Sequence, residues 1–218
     1  MYMLGGSMTD RYRTYLGLLP DGIDSYPHCQ TKNSAMRILT NRLSALEDKS
    51  FLDDLPPQVR ALIEAPPEYS AWVPSVHYVL LLAAYLDHET ELELKMGEWY
   101  YSDQLSLLAN KIYAPLFKVM NPEIILRGAK SRFSNFHTSV DVSVERWAKE
   151  QFSIRLDFPN HLLPDWRLEL IGEGIRAALD VGGHESAVQL KDCDAGSARF
   201  SALWGASTHA NQTVAAGL

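Results

Sequence analysis

The sequence predicts an α+β protein, a helical N-terminal half followed by a ββαββ antiparallel sheet packed on helices. Three observations carry this. Val140, Val142 and Val144 alternate with Asp141, Ser143 and Glu145, and Phe152, Ile154, Leu156 and Phe158 alternate with Ser153, Arg155 and Asp157. Such period-two alternation marks strands with one buried and one wet face. Leu168, Ile171, Ile175, Ala178 and Leu179 recur at helical spacing between Pro164 and Gly182-Gly183, a proline suited to a first turn and a pair of glycines suited to a helix end. The segments before Thr138 carry only helical periodicity.

In chain order, residues 1–24 read as a leader and an irregular segment, with Gly5-Gly6-Ser7 as an appended stretch ahead of a natural start at Met8 and Pro20-Asp21-Gly22 as a turn. A single α+β domain is expected over residues 25–205, its helical part 25–137 and its ββαββ part 138–205. The first helix is predicted from Thr31 or Lys32 to Asp48, on the stripe Ala35, Ile38, Leu39, Leu43 and Leu46. A second opens at Pro56-Pro57 with Val59, Leu62 and Ile63 and ends at Pro66-Pro67. Trp72 to Asp87 is apolar nearly all round, which belongs at the centre of a domain. A fourth helix is expected from Leu92 to Asn110, a further helical segment over Lys111 to Val119, and another from Asn121-Pro122 to about His137, with Asn as cap and Pro in first position.

The strands follow, joined by a loop over Arg146 to Glu150. After the helix behind Pro164, a last hairpin runs through Val188 and Leu190, turns over residues 192–197 and returns through Phe200 to Trp204. Residues 206–218 are rich in Ala, Ser, Thr and Gly and are expected to form a mobile tail.

The net charge of −7 argues against nucleic acid or an anionic membrane as the main partner, since both need a basic face. No apolar run approaches the ~20 residues of a membrane helix, and no signal peptide is read at the start. Cys29 and Cys193 form no CxxC pair, so a reduced, cytoplasmic setting is expected.

Several constellations carry candidate chemistry. His77 lies among Val73, Leu80 and Ala84 at helical spacing and reads either as a haem-iron ligand or as a hydrogen-bonded core histidine; no second iron ligand or propionate clamp accompanies it, which favours the core. His88-Glu89-Thr90-Glu91-Leu92-Glu93 lacks HExxH spacing and reads as a solvated acidic run, so no metal site is assigned. Cys29, beside His28 and ahead of a helix, is a candidate for acylation or a reactive thiol, or an inert buried cysteine. Cys193, between two aspartates, is a poor nucleophile. Arg127, Lys130 and Arg132 could clamp an anion or simply answer a helix C-terminus. Ile171-Gly172-Glu173-Gly174 is no dinucleotide fingerprint; its small residues suit close packing on a sheet. No catalytic set is assigned.

The segments Tyr26-Pro27-His28-Cys29-Gln30-Thr31-Lys32, Ser70-Ala71-Trp72-Val73-Pro74, Asn121-Pro122 and Phe136-His137, together with Trp204, resemble an uncharacterised bacterial family of about this length. It is related to the 4-vinyl reductase domain, the haem-nitric-oxide/oxygen-binding domain and the Bet3-like subunits of vesicle-tethering complexes. The resemblance covers about residues 20 to 205. It implies a sensing or scaffolding module with a ligand between helices and sheet. Haem-binding members carry a Tyr-x-Ser-x-Arg clamp that is absent here, so haem is not implied. In Bet3-like proteins an acyl chain sits on a cysteine, for which Cys29 is the counterpart.

The reading is therefore a non-enzymatic regulatory module, working as a homodimer, that binds an apolar or amphipathic small molecule. Its expected contacts are Trp72, Val76, His77, Tyr78, Trp99, Phe133, Phe136, His137 and Phe152, aromatic and aliphatic walls with a few polar groups. The alternatives are a protein-interaction adaptor without ligand and a cysteine-dependent enzyme.

Overall fold

The computed structural model describes residues 10–89, 95–109 and 121–205. The expected leader, the acidic run beyond Glu89, the start of the fourth helix, the helical segment from Lys111 to Val119 and the tail lie outside them. The architecture is α+β as predicted, helices first and an antiparallel sheet last. The chain divides into two compact units: residues 1–95, 135–139 and 159–163 form one, and residues 96–134, 140–158 and 164–218 the other.

In the first unit, α1 (Asp10–Leu18), α2 (Asn33–Ala45), α3 (Pro57–Glu64) and α4 (Ser75–His88) accompany two short strands, β1 (Gln30–Lys32) and β2 (Trp72–Pro74). Helices α1, α2 and α3 all pack on α4. Every residue of α4 from Ser75 to Leu86 is buried except His77, as an apolar helix at the centre of its unit should be. Met36, Leu39 and Leu43 of α2 are buried too; Met36 occupies the inward turn expected of Ala35.

Three expectations here need correction. The segment read as irregular is α1, held at its start by Asp87, whose carboxylate accepts from the Tyr12 N–H at 3.1 Å and from Arg11 at 3.3 Å. An anion there satisfies an end amide and meets the positive end of the helix dipole. The helix expected from Thr31 starts at Asn33, because Gln30, Thr31 and Lys32 pair antiparallel with Pro74, Val73 and Trp72. Cys29 therefore precedes a strand, not a helix, and gains nothing from a helix N-terminus.

In the second unit, α5 (Met96–Leu108), α6 (Pro122–Arg127), α7 (Ala129–Ser134) and α8 (Asp165–Asp180) accompany a sheet of order β3-β4-β6-β5, with β3 (Asp141–Ala148), β4 (Gln151–Asp157), β5 (Ser186–Cys193) and β6 (Ser197–Trp204). The single helix expected after Asn121 is two short ones with Gly128 between them. The Asn121 side chain accepts from the Ile124 N–H at 2.9 Å, as a cap should. The loop expected over Arg146 to Glu150 narrows to Lys149 and Glu150, because β3 keeps pairing with β4 as far as Ala148. Phe152, Ile154, Leu156, Ala198, Phe200, Ala202 and Trp204 are the buried apolar set of the central strands β4 and β6, and the Phe152 and Trp204 rings stack at 5.3 Å. Helix α8 lies against this sheet at Gly172, where an added Cβ would come within 3.3 Å of the Phe200 ring. In the β5–β6 turn the Asp194 carboxylate accepts from the Gly196 and Ser197 amides at 2.9 and 2.7 Å and is held below the usual carboxylate range by those bonds.

Candidate functional site

The first unit gathers a polar group around β1. The Thr31 hydroxyl meets the Ser75 hydroxyl at 2.9 Å and the His137 Nδ1 at 3.2 Å. Thr138 donates to the His28 carbonyl at 2.9 Å and accepts from the Gln30 amide at 2.7 Å. Thr31 and Ser75 are buried and His137 is half-buried. The β1 backbone closes the arrangement: Lys32 N–H donates to the Phe136 carbonyl, and Thr138 N–H to the Gln30 carbonyl.

Three non-glycine residues of this unit stand in the left-handed region, Tyr26 at φ 54°, Ser139 at 62° and His161 at 61°. Each costs about 1 kcal/mol and persists only where its surroundings hold it. The surroundings are visible: Tyr26 donates to the Asn160 carbonyl at 2.9 Å, and Tyr15, itself buried, donates to the Leu162 carbonyl at 3.1 Å. Burial first, then the neighbouring Tyr26 and Cys29, push the Tyr15 phenol far up, which keeps it a neutral donor.

Cys29 is wholly buried. Burial pushes its thiol up, against a smaller lowering by a hydrogen bond with Ser139. That is the environment of a packed thiol rather than a nucleophile. Burial first, then Asp165 at 3.7 Å, pushes the Cys193 thiol up as well.

His77 differs from the rest of α4. It is half-buried, and among the described residues its imidazole has no hydrogen-bond partner. Desolvation pulls its pKa down while the Asp24 carboxylate opposes that, so the neutral ring is favoured near neutral pH. Its neighbours Val76 and Tyr78 are buried. Trp72 and Phe136 are exposed aromatics, 39% and 40% accessible, and the Lys32 ammonium lies over the Trp72 ring at 5.6 Å.

The remaining expected site residues belong to the second unit. Trp99 and Phe152 are buried, and Phe133 is half-buried on α7. The three candidate cations already hold partners: Arg127 pairs with Glu123 at 2.8 Å, Lys130 with Asp141 at 2.7 Å, and Arg132 donates to the Ile125 carbonyl at 2.6 Å. A polar layer between α5 and α8 went unread in the sequence. Arg176 stacks over Tyr101 at 4.0 Å and pairs with Glu173 at 2.8 Å; Tyr101 donates to Asp180 at 2.8 Å, and Asp180 accepts from the Ser186 hydroxyl at 2.6 Å. Buried Arg167 reaches the Tyr100 hydroxyl at 3.3 Å. Among the described residues no group of three His, Cys, Asp or Glu side chains could hold a metal ion, and no helix is long and apolar enough to cross a membrane.

No family model matches the chain, and no curated protein matches it. Its fold is nonetheless that of H-NOX proteins. It is similar to an Fe(II) unliganded H-NOX mutant from K. algicida, with 9% identity and a TM-score of 0.55 over 82% of this chain and 98% of that one. It is also similar to a mutant H-NOX from T. Tengcongensis, with 8% identity and a TM-score of 0.51 over 79% and 97%. A palmitic-acid-bound trafficking protein particle complex subunit 3 from Naegleria fowleri matches at 16% identity over 79% and 95%, but its TM-score of 0.35 is too low to carry an argument.

Proposed function

We propose that this chain is a regulatory module that binds an apolar or amphipathic small molecule, with His77 as the polar contact. The observation that carries it is the contrast along α4: eleven of the twelve residues from Ser75 to Leu86 are buried, and the twelfth is a half-buried histidine that bonds to no described residue. A neutral imidazole beside apolar side chains offers one oriented donor and one acceptor, the arrangement small-molecule sites use to fix a ligand. The H-NOX-like fold supports a sensing role by analogy of fold alone. The motif likeness supports placing the chain with the bacterial family named above, and two free cysteines support a reducing compartment.

Haem does not fit these residues. The Tyr-x-Ser-x-Arg clamp that haem-binding members carry is missing. The ligand we expect carries no iron.

Native mass spectrometry beside the denatured mass tests the reading. Extra mass in the native spectrum that His77→Leu removes supports it. The same extra mass on both proteins moves the ligand away from α4, and a bare native mass rejects ligand binding.

A second reading, a protein-interaction adaptor, draws on the exposed aromatics of the first unit. Tyr69, Trp72 and Phe136 are all exposed, and Arg37 and Lys32 lie over the rings of the first two. Exposed aromatic and cationic side chains of this kind are common interface anchors.

A further inference from the structure

The exposed Phe, Tyr and Trp side chains among the described residues gather in one place, where β1 runs into α2. Tyr69, Trp72 and Phe136 are 57%, 39% and 40% accessible. Single exposed apolar residues are ordinary on a protein surface, but a cluster of them marks a contact site. The backbone explains the gathering. Lys32 lies opposite Trp72 in the β1–β2 ladder. On its other side the Lys32 N–H donates to the Phe136 carbonyl at 2.8 Å, beside the Thr31–His137 bridge. Trp72, Lys32 and Phe136 therefore form one row across three strands, and partners in register share a face. Val73, Thr31 and His137 make the next row and turn to the opposite face, where Val73 and Thr31 are buried. The Asn33 N–H donates to the Ala71 carbonyl at 2.8 Å and its side chain to the Pro67 carbonyl at 2.7 Å, which holds the loop carrying Tyr69 against the start of α2.

Two cations stand in this cluster with no acid to answer them. Lys32 lies over the Trp72 ring at 5.6 Å and Arg37 over the Tyr69 ring at 5.4 Å, and among the described residues neither forms an ion pair. Glu68, the one carboxylate on the loop of residues 65–71, pairs with neither. In a chain of net charge −7, cations left without carboxylates beside exposed rings suit a surface whose acid comes from outside. We infer that this face docks an acidic amphipathic helix of a partner protein, which deepens the adaptor reading and rests on it. The spacing fits a helix. Trp72 and Phe136 stand two strand spacings apart, about 9.5 Å, and positions i and i+7 of one helix face lie about 10.5 Å apart. Apolar side chains at i and i+7 reach the two rings, and a glutamate at i+3 or i+4 falls on Lys32 between them. Nucleic acid and anionic membranes are disfavoured, because their binding grows with the number of cations presented and this patch holds two.

Fluorescence anisotropy on the full chain tests it, with a labelled synthetic helix carrying leucine at i and i+7 and glutamate at i+3 and i+4. Saturable binding is expected. Lys32→Glu is expected to weaken it about tenfold, and Trp72→Ser and Phe136→Ser likewise. A helix with lysine in place of glutamate should regain affinity for the Lys32→Glu chain. Circular dichroism checks that each variant keeps its fold. If a strand variant unfolds, Arg37→Glu, at an exposed position of α2, decides the charge question in its place. Loss with Trp72→Ser but with neither charge reversal overturns the acidic partner and leaves the adaptor reading standing. Binding that survives every variant overturns both. The inference also falls if the helix does not bind saturably, or if a uridine oligonucleotide or phosphatidylserine vesicles bind more tightly than the helix does.

Discussion

The two units solve the same packing problem with different chemistry. The first is organised by α4, whose buried run from Val76 to Leu86 leaves only His77 half-open and sets apolar side chains against α1, α2 and α3. The second packs α8 against the sheet with apolar side chains but holds α5 to α8 through Arg176, Glu173, Tyr101 and Asp180. Apolar burial is non-directional and scales with area; the hydrogen-bonded layer is directional and changes with protonation. The first unit should therefore respond most to lost volume, and the second to changes of shape and pH.

The largest expected effect tests the first half of that contrast. Leu81 lies mid-way along α4 and is wholly buried. Leu81→Ala removes its transfer energy and leaves a cavity, an expected loss of about 3 kcal/mol in denaturant unfolding. A loss under about 1 kcal/mol would mean that α4 is not the centre of its unit.

Two glycines two residues apart give the next effect, and they should differ in sign. At Gly172 a Cβ would meet the Phe200 ring at 3.3 Å, and Phe200 is wholly buried. Gly172→Ala is expected to destabilise by about 1 kcal/mol, overpacking outweighing the gain in helix propensity. At Gly174 the nearest atom is Tyr100 Cε1 at 3.6 Å, an ordinary contact, so Gly174→Ala should stabilise by about 0.5–1 kcal/mol. Equal signs would show that α8 does not press on the sheet at Gly172.

The same glycines mark how far the sequence could be read. Small residues within Ile171-Gly172-Glu173-Gly174 suggested close helix–sheet packing, and Gly172 provides it. The ββαββ order was legible because period-two alternation over seven or eight residues is a strong local signal. Strands β1 and β2 were not, since three residues hold too little periodicity, and Thr31 is buried by its partners rather than by its own character. The Thr31–Ser75–His137 group was missed for the same reason: sequence separations of 44 and 106 leave no local trace. The layer between α5 and α8 was hidden because Arg176 and Glu173 read as an ordinary solvated face, and only the facing tyrosines give them a role. Cys29 was misplaced next to a helix N-terminus by the same missing strand.

Thiol labelling sharpens the contrast between a packed side chain and an accessible one. Cys29 is wholly buried with its thiol pushed up, and Cys193 is exposed. Iodoacetamide near neutral pH should modify Cys193 first and reach Cys29 only when the first unit opens. Prompt stoichiometric labelling of Cys29 would revive the reactive-thiol reading.

The smallest expected effect separates the units by pH. Tyr101 is pushed up to about 12 from an ordinary 10, by burial first and then by its bond to Asp180. A folded-state value above the unfolded one means stability that is complete below pH 10 and is lost as pH rises through about 12. Tyr101→Phe should remove that alkaline loss while lowering stability slightly at neutral pH. Asp87 of the first unit is also pushed up, by burial against the opposing bonds from Tyr12 and Arg11. Its contribution is complete below the ordinary carboxylate value of 3.8 and fades as pH rises through the folded value, so Asp87→Asn should flatten the acid limb and leave the alkaline one unchanged. Glu173, pushed up by burial, adds to the acid limb from the second unit, and Tyr12 and Tyr15, also pushed up by burial, add to the alkaline limb from the first, so the part of the alkaline loss that Tyr101→Phe removes is what reports on the second unit. If Tyr101→Phe leaves the alkaline limb intact, the α5–α8 layer does not hold its phenol as a donor, and the contrast between the units rests on packing alone.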